Sequence, residues 1–310
     1  MESPRIEFYR QRTFSEKMNV TFEFIRENWK PILKYSFYLL MPVCLAYSLA
    51  MNSFLDLYMG FIKNAPTGNP FDSAVYSIFI YYGVLALCGI IGMAITSGLI
   101  FAMMQTYATR ENRLRDVTLN DFKDILIKNI WKYVRLTLIF FAAYLVLAFL
   151  AVALVFVSAY TLLLTIPAIL VLIALFVLLL MVLPVYVFEQ NISLSDAFIK
   201  AWNFGIATFW GMLGLMIVVS IISSVVQQIT ALPWNLVVAI GYIFSMASES
   251  ITNQSVIYKF MVFMFGLIQS FGMFLSMTIC FIGIAFQYFH AREKVEGITI
   301  ESNISNFNEL

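Results

Sequence analysis

Residues 118–135 read TLNDFKDILIKNIWKYVR, and from Leu136 to Phe188 the chain carries no Asp, Glu, Lys, Arg or His. Thr118 and Asp121 have the spacing of a helix capping box, in which a hydroxyl caps the first turn and a carboxylate three places on reaches back. Beyond them Phe122, Ile125, Leu126, Ile130 and Tyr133 recur every three or four positions, against Lys123, Asp124, Lys128 and Lys132. That period marks an amphipathic helix. The charge-free run that follows is long enough for two membrane helices of about 20 residues each. One unit is therefore an amphipathic helix leading into a membrane hairpin.

The same unit occurs twice more. Thr13-Phe14-Ser15-Glu16 precedes Met18, Phe22, Ile25 and Trp29. Ser193-Leu194-Ser195-Asp196 precedes Phe198, Ala201, Trp202 and Gly205. Beside a membrane span, such a helix lies in the interface with its apolar side toward the acyl chains or the bundle. It serves either as a cytoplasmic collar that binds a partner or as an elbow that orients its hairpin. Hairpin ends also repeat: Gln105, Tyr107, Arg110 and Glu111 match Gln287, Phe289, Arg292 and Glu293.

Composition agrees with a bilayer protein. Of 310 residues, 61% are hydrophobic and 12% charged, with mean hydropathy +0.86. A soluble domain carries about 25% charged residues. Apolar runs predict six spans, at 32–55, 74–108, 134–158, 162–187, 207–230 and 256–289. The run 232–248, opened by Leu232-Pro233-Trp234, is too short for a span and is expected to be a re-entrant or interfacial helix with Trp234 in the headgroup belt. The repeats are then 13–111, 118–189 and 193–293, with 294–310 a flexible cytoplasmic tail, all in one membrane domain, 1–310.

Of 19 Lys and Arg, 17 fall at Arg5–Lys34, Arg110–Arg135, Lys200, Arg292 and Lys294. Six spans put these on one side together with both termini, and the Lys/Arg excess makes that side the cytoplasm. The expected class is an all-α integral membrane protein, a six-helix transmembrane bundle in the cytoplasmic (inner) membrane. The N-terminal stretch, with Glu2, Arg5, Glu7, Arg10 and Arg12, lacks the profile of a removable signal peptide. Cys44, Cys88 and Cys280 lie in apolar runs and read as small core hydrophobes.

Chemistry-bearing patterns are sparse. No Lys, Arg, Asp, Glu or His lies deep within a span, which argues against an ion-coupled carrier. His290 is the lone histidine and stands at a span end, where a surface position is expected. No phosphate loop or Cys-x-x-Cys pair occurs. The expectation is a non-enzymatic chain with no catalytic, cofactor-binding or metal-binding residues. Glu189, closing the fourth span, reads as an interface anchor paired with a basic residue of a neighbouring elbow. Gly266 to Ser270 and Gly272 to Ser276 have small-xxx-small spacing, a signal of close helix packing.

Val187-Phe188-Glu189, then Ser193-Leu194-Ser195-Asp196-Ala197-Phe198, Trp202 and Phe209-Trp210-Gly211, resembles a segment of the bacterial glycerophosphoryl diester phosphodiesterase membrane-domain family and its uncharacterised multi-pass relatives. The stretch 288–297, with Arg292, Glu293 and Gly297, is similar to that family's close. The resemblance is clearest over 187–297. It implies a six-helix membrane domain with cytoplasmic elbows. It carries over no catalysis, because a separate soluble domain performs it in the namesake proteins.

The leading expectation is a scaffold or accessory subunit of a membrane complex that organises lipids or partner proteins. The alternative is a transporter or flippase-like carrier of an amphipathic or lipid-like molecule. Expected partners are membrane lipids and a second copy or other membrane subunits, with no nucleic acid.

Overall fold

The computed structural model describes residues 4–64, 73–157, 174–189, 191–247 and 256–298. Among these residues the regular structure is helical, with no strand. The helices are α1 (Phe14–Asn64), α2 (Ser73–Thr109), α3 (Leu119–Val157), α4 (Val182–Phe188), α5 (Leu194–Ala247) and α6 (Val256–Glu296). Four described stretches are long and apolar enough to cross a bilayer: Phe14–Tyr58, Tyr76–Thr109, Leu194–Ile243 and Val256–Glu296. A bilayer selects this class because lipid offers no hydrogen bonds, so each span must satisfy its own backbone. The protein is an α-helical membrane protein.

The middle hairpin is described only at its ends. Helix α3 carries the expected span 134–158 as far as Val157, and a shorter apolar helix, Ala174–Phe188, ends the span expected at 162–187. Residues 158–173, where the turn of that hairpin is expected, lie outside the described residues, as do 65–72, 248–255 and most of the tail.

Amphipathic helix and span are fused in α1 and in α5, and each bends at one residue. Asn28 has φ −116°, ψ 16° and Thr208 has φ −128°, ψ 19°. Both stand 15 places after their cap residues (28 − 13 and 208 − 193). At each bend a side chain bonds the carbonyl four residues back: Asn28 Nδ2 to Phe24 O at 2.9 Å, Thr208 Oγ1 to Phe204 O at 2.8 Å. Such back-bonding bends helices. In α1 Pro31 adds to it by lacking an N–H and crowding the preceding turn.

The segment 232–248 differs from expectation. Its described part, to Ala247, continues α5 through Pro233 and forms no separate re-entrant or interfacial helix. From Thr208 to Ala247 the helix runs about 60 Å, well beyond one bilayer core. Trp234 is buried. A Cβ added at Gly266 would lie 3.4 Å from its indole. Close packing of α5 on a glycine face of α6 thus replaces the expected headgroup position.

The chain divides into two compact units. Unit 2 comprises Ile32–Thr96 and Ile221–Thr278. Its core gathers Leu40, Cys44, Leu267 and Phe274, with Met93, Ile95 and Phe271 against it. The small-xxx-small pattern is used here inside the chain. A Cβ at Gly272 would meet Thr230 at 2.1 Å, and one at Gly266 would meet Ser48 at 2.8 Å. Ser48 Oγ donates to Phe263 O and Ser223 Oγ to Ser276 O, each at 2.8 Å, the interhelical bonds expected of buried hydroxyls in lipid. Outward lie Tyr76, Phe79, Ile80 and Leu87, an apolar exterior of the kind that lipid or a membrane partner covers.

Unit 1 comprises Met1–Pro31, Ser97–Ser220 and Ile279–Leu310, and it holds every Lys and Arg except Lys34, Lys63 and Lys259. Three helix starts meet in it. The positions 4, 8 and 11 after each cap residue are buried in all three: Lys17, Thr21 and Phe24; Phe122, Leu126 and Asn129; Ala197, Ala201 and Phe204. Their spacing forms one helix stripe.

Candidate functional site: the collar of unit 1

The capping box is reciprocal at the first helix start, while the second keeps only the carboxylate bond and the third only the hydroxyl bond to the backbone. The Thr13 N–H donates to Glu16 Oε2 at 2.7 Å, and the Glu16 N–H returns to Thr13 Oγ1 at 3.4 Å. The Thr118 N–H donates to Asp121 Oδ2 at 2.7 Å. The Asp196 N–H donates to Ser193 Oγ at 3.1 Å, and that hydroxyl donates to Asp196. Arg110 joins the second box at 2.8 Å from Asp121. The Thr118 backbone N–H, helped by Arg110, holds the Asp121 carboxyl below the usual aspartate range.

Residues 4–12 form an arm that sequence reading missed. Arg5 donates to the carbonyls of Tyr107 and Ala108, each at 2.7 Å. Phe8 stacks on Tyr107 (5.7 Å, 23°) and on Phe289 (5.0 Å, 16°), the two aromatics matched between the first and third hairpin ends. The Arg12 N–H donates to His290 Nδ1 at 3.0 Å, so the lone histidine anchors the arm rather than standing free on the surface. The one local signal was Ile6 and Phe8, two large apolar residues in a charged stretch. Apart from Phe24, which meets Phe8, their ring and hydrogen-bond partners Tyr107, Phe286 and Phe289 lie about a hundred or more positions away.

Glu189, Arg292 and the third box meet in one network. Glu189 caps the end of α4, is 8% exposed, and lies 2.7 Å from Lys200 Nζ and 3.9 Å from Arg292 Nε. Glu296 bridges the same two cations, each at 2.9 Å. Arg292 also donates to the Tyr9 and Tyr288 hydroxyls at 3.2 and 3.1 Å. Glu189 thus pairs with a basic residue of the neighbouring elbow, Lys200. Glu296, not singled out from sequence, was readable as the i+4 partner of Arg292. Glu293 is buried, and its carbonyl accepts the N–H of Gly297, whose φ of 62° makes it the glycine C-cap of α6.

Beside this network is a cavity of about 460 Å³ bordered by Phe8, Gln105, Lys128, Asn129, Lys132, Phe188, Glu189 and Phe289, among others. Asn129 Nδ2 donates to Gln105 Oε1 at 3.2 Å, and Gln105 Nε2 to Val187 O at 3.1 Å. Lys132 Nζ donates to the Tyr186 carbonyl and, at 3.4 Å, to that of Val187, and lies 4.9 Å from the Tyr186 ring centre. Burial, and then the nearby Lys128 charge, push Lys132 down to about 8.

The apolar faces of the amphipathic helices divide between two directions. Phe122 and Leu126 of α3 point into the unit. Phe22 and Trp29 of α1 and Trp202 of α5 point outward, leaving Lys17, Thr21 and Ala201 inside. Trp29, Trp131, Trp202 and Trp210 are 53%, 59%, 43% and 80% exposed. Trp202 and Trp210 therefore stand apart from the Glu189–Arg292 network. Among the described residues no three His, Cys, Asp or Glu converge as a metal-ligand group. The chain matches no protein-family model, no curated protein and no solved structure.

Proposed function

We propose that this chain is a non-enzymatic multi-pass scaffold or accessory subunit whose collar organises lipids or partner proteins at the cytoplasmic face. In this reading it has six spans in three repeats, with both termini in the cytoplasm of an inner membrane. The sequence resemblance to the glycerophosphoryl diester phosphodiesterase membrane-domain family enters this reading for architecture alone.

The observation that carries the reading is the outward set of four tryptophans on unit 1, the unit that also holds most of the basic residues. Tryptophan concentrates at headgroup level, where its ring is apolar and its N–H is wet. A collar so faced grips the interface from the outside, while its inner stripe is fastened by caps, aromatic stacking and ion pairs. The common bend of α1 and α5, 15 places after each cap, supports the kinship of the first and third repeats, while α3 runs through Tyr133 without one.

Extraction in mild detergent tests the reading. A stable co-purifying subunit, a defined oligomer or tightly retained lipid is the expected result. A bare monomer with neither partner nor lipid contradicts it. The carrier reading draws support from the collar cavity, which is lined by both charged and aromatic groups. Accelerated movement of a labelled lipid across liposomes containing the protein would favour it over the scaffold.

A further inference from the structure

We propose that the collar cavity beside Lys132 binds the phosphate group of an anionic amphipathic molecule, with Lys128 and Lys132 on the phosphate and Phe188 and Phe289 against its apolar part. The inference rests on the lipid-organising half of the reading above, and on neither the scaffold nor the carrier alone.

Lys128 and Lys132 are four residues apart on α3, so both project from one helix face. Both border the cavity. Among the described residues neither lysine has a carboxylate within ion-pair distance; the carboxylate that shares the cavity, Glu189, is held through Oε2 by Lys200 at 2.7 Å, and its Oε1, which accepts no hydrogen bond among the described residues, faces Arg292 at 3.9 Å. Lys132 is half-buried and, among the described residues, is met only by two carbonyls and an aromatic ring. Withdrawing an ammonium from water without a counter-charge is costly, and an arriving anion offsets that cost. Its depressed pKa records the same deficit, and an anion would raise it again.

The cavity also has the character of an amphiphile site. Its volume of about 460 Å³ lies in the range of small-molecule pockets. Two lysines and the Asn129 amide occupy one wall, while aromatic rings from α4 and α6 supply an apolar one. Lys132 stands two residues before the span expected to begin at 134, the level at which lipid phosphates meet basic side chains. A phosphate there could belong to a lipid headgroup or to a soluble phosphate.

The test is amine-reactive footprinting of the full-length protein in nanodiscs of phosphatidylcholine, with or without phosphatidylglycerol, and separately with millimolar inorganic phosphate. We expect phosphatidylglycerol to slow modification of Lys132 by roughly tenfold, the effect of a well-occupied site, and to leave the exposed Lys123 unchanged. Native mass spectrometry should show phosphatidylglycerol retained by the wild type and by K132R, and lost from K128Q/K132Q. Protection by inorganic phosphate with none by phosphatidylglycerol would overturn the amphiphile and leave the two lysines a site for soluble phosphate. Unchanged Lys132 reactivity with both anions overturns the proposal, with no variant required. So does equal phosphatidylglycerol retention by a K128Q/K132Q protein whose helical circular dichroism is intact. A protein that purifies as a bare monomer yet shows Lys132 protection would lose the scaffold reading and keep the site.

Discussion

Glu189 and Lys132 illustrate opposite solutions for a charge withdrawn from water. Glu189 is nearly buried and is paired with Lys200, so removing its charge leaves Lys200 and Arg292 to share Glu296 alone. Glu189→Gln is expected to cost about 2 kcal/mol, below the usual value for a buried pair because Lys200 is partly solvated. Denaturant titration in micelles measures this, and a change near zero would remove the network from the account. Lys132 has no such match. Its ordinary value is 10.5 and the folded value is about 8. Between them the unfolded chain holds the proton and the folded chain has lost it, so stability rises as pH climbs through that window. Lys132→Met should flatten that slope and stabilise the anion-free protein at neutral pH. An unaltered pH–stability curve would contradict the placement of Lys132. Phe8, stacked between Tyr107 and Phe289, should cost about 3 kcal/mol on truncation to Ala. A Phe8→Ala protein as stable as the wild type would show that the arm is not fastened there.

At the scale of elements, helix starts could be read from sequence and inward faces could not. A capping box is a contract between residues three apart, so Thr13 with Glu16, Thr118 with Asp121 and Ser193 with Asp196 needed no tertiary information. Which side of the following helix turns inward depends on whether water or lipid lies outside. In α1 both sides are mixed: Phe22 and Trp29 face out beside Asn19, Arg26 and Lys30, and Lys17, Thr21 and Asn28 face in beside Met18, Val20 and Phe24. The Asn28 bend was half visible through Pro31, whereas Thr208 has no proline nearby and bends through a side-chain bond that composition does not announce. The glycine spacing in α6 was recognised, and the structure supplies its partners in Thr230 and Ser48. Gly272→Val should therefore lower stability by about 2 kcal/mol through overpacking against α5. Gly89, with nothing within 4 Å of an added Cβ, should tolerate alanine. Equal tolerance at both positions would refute the tight α5–α6 packing.

At the scale of the whole molecule, charge and length were the readable quantities. The Lys/Arg clusters predicted one basic side, and all but Lys34, Lys63 and Lys259 belong to unit 1. The arm at 4–12 escaped notice because its anchors reach Tyr107, Phe289 and His290 across long stretches of chain. The continuation of α5 through Pro233 escaped because apolar length alone cannot tell a separate short helix from the end of a long one. The central claim is that three hairpins enter the membrane from one side, with the collar in the cytoplasm. Single-cysteine labelling tests it most directly, on a background in which Cys44, Cys88 and Cys280 are replaced by Ala. Cysteines at Arg115, Ser195 and Ser302 should react with an impermeant maleimide only after the inner face is opened, and cysteines at Thr67 and Ser250 should react in intact cells. Labelling of Arg115→Cys, Ser195→Cys or Ser302→Cys in intact cells would contradict the three-hairpin account.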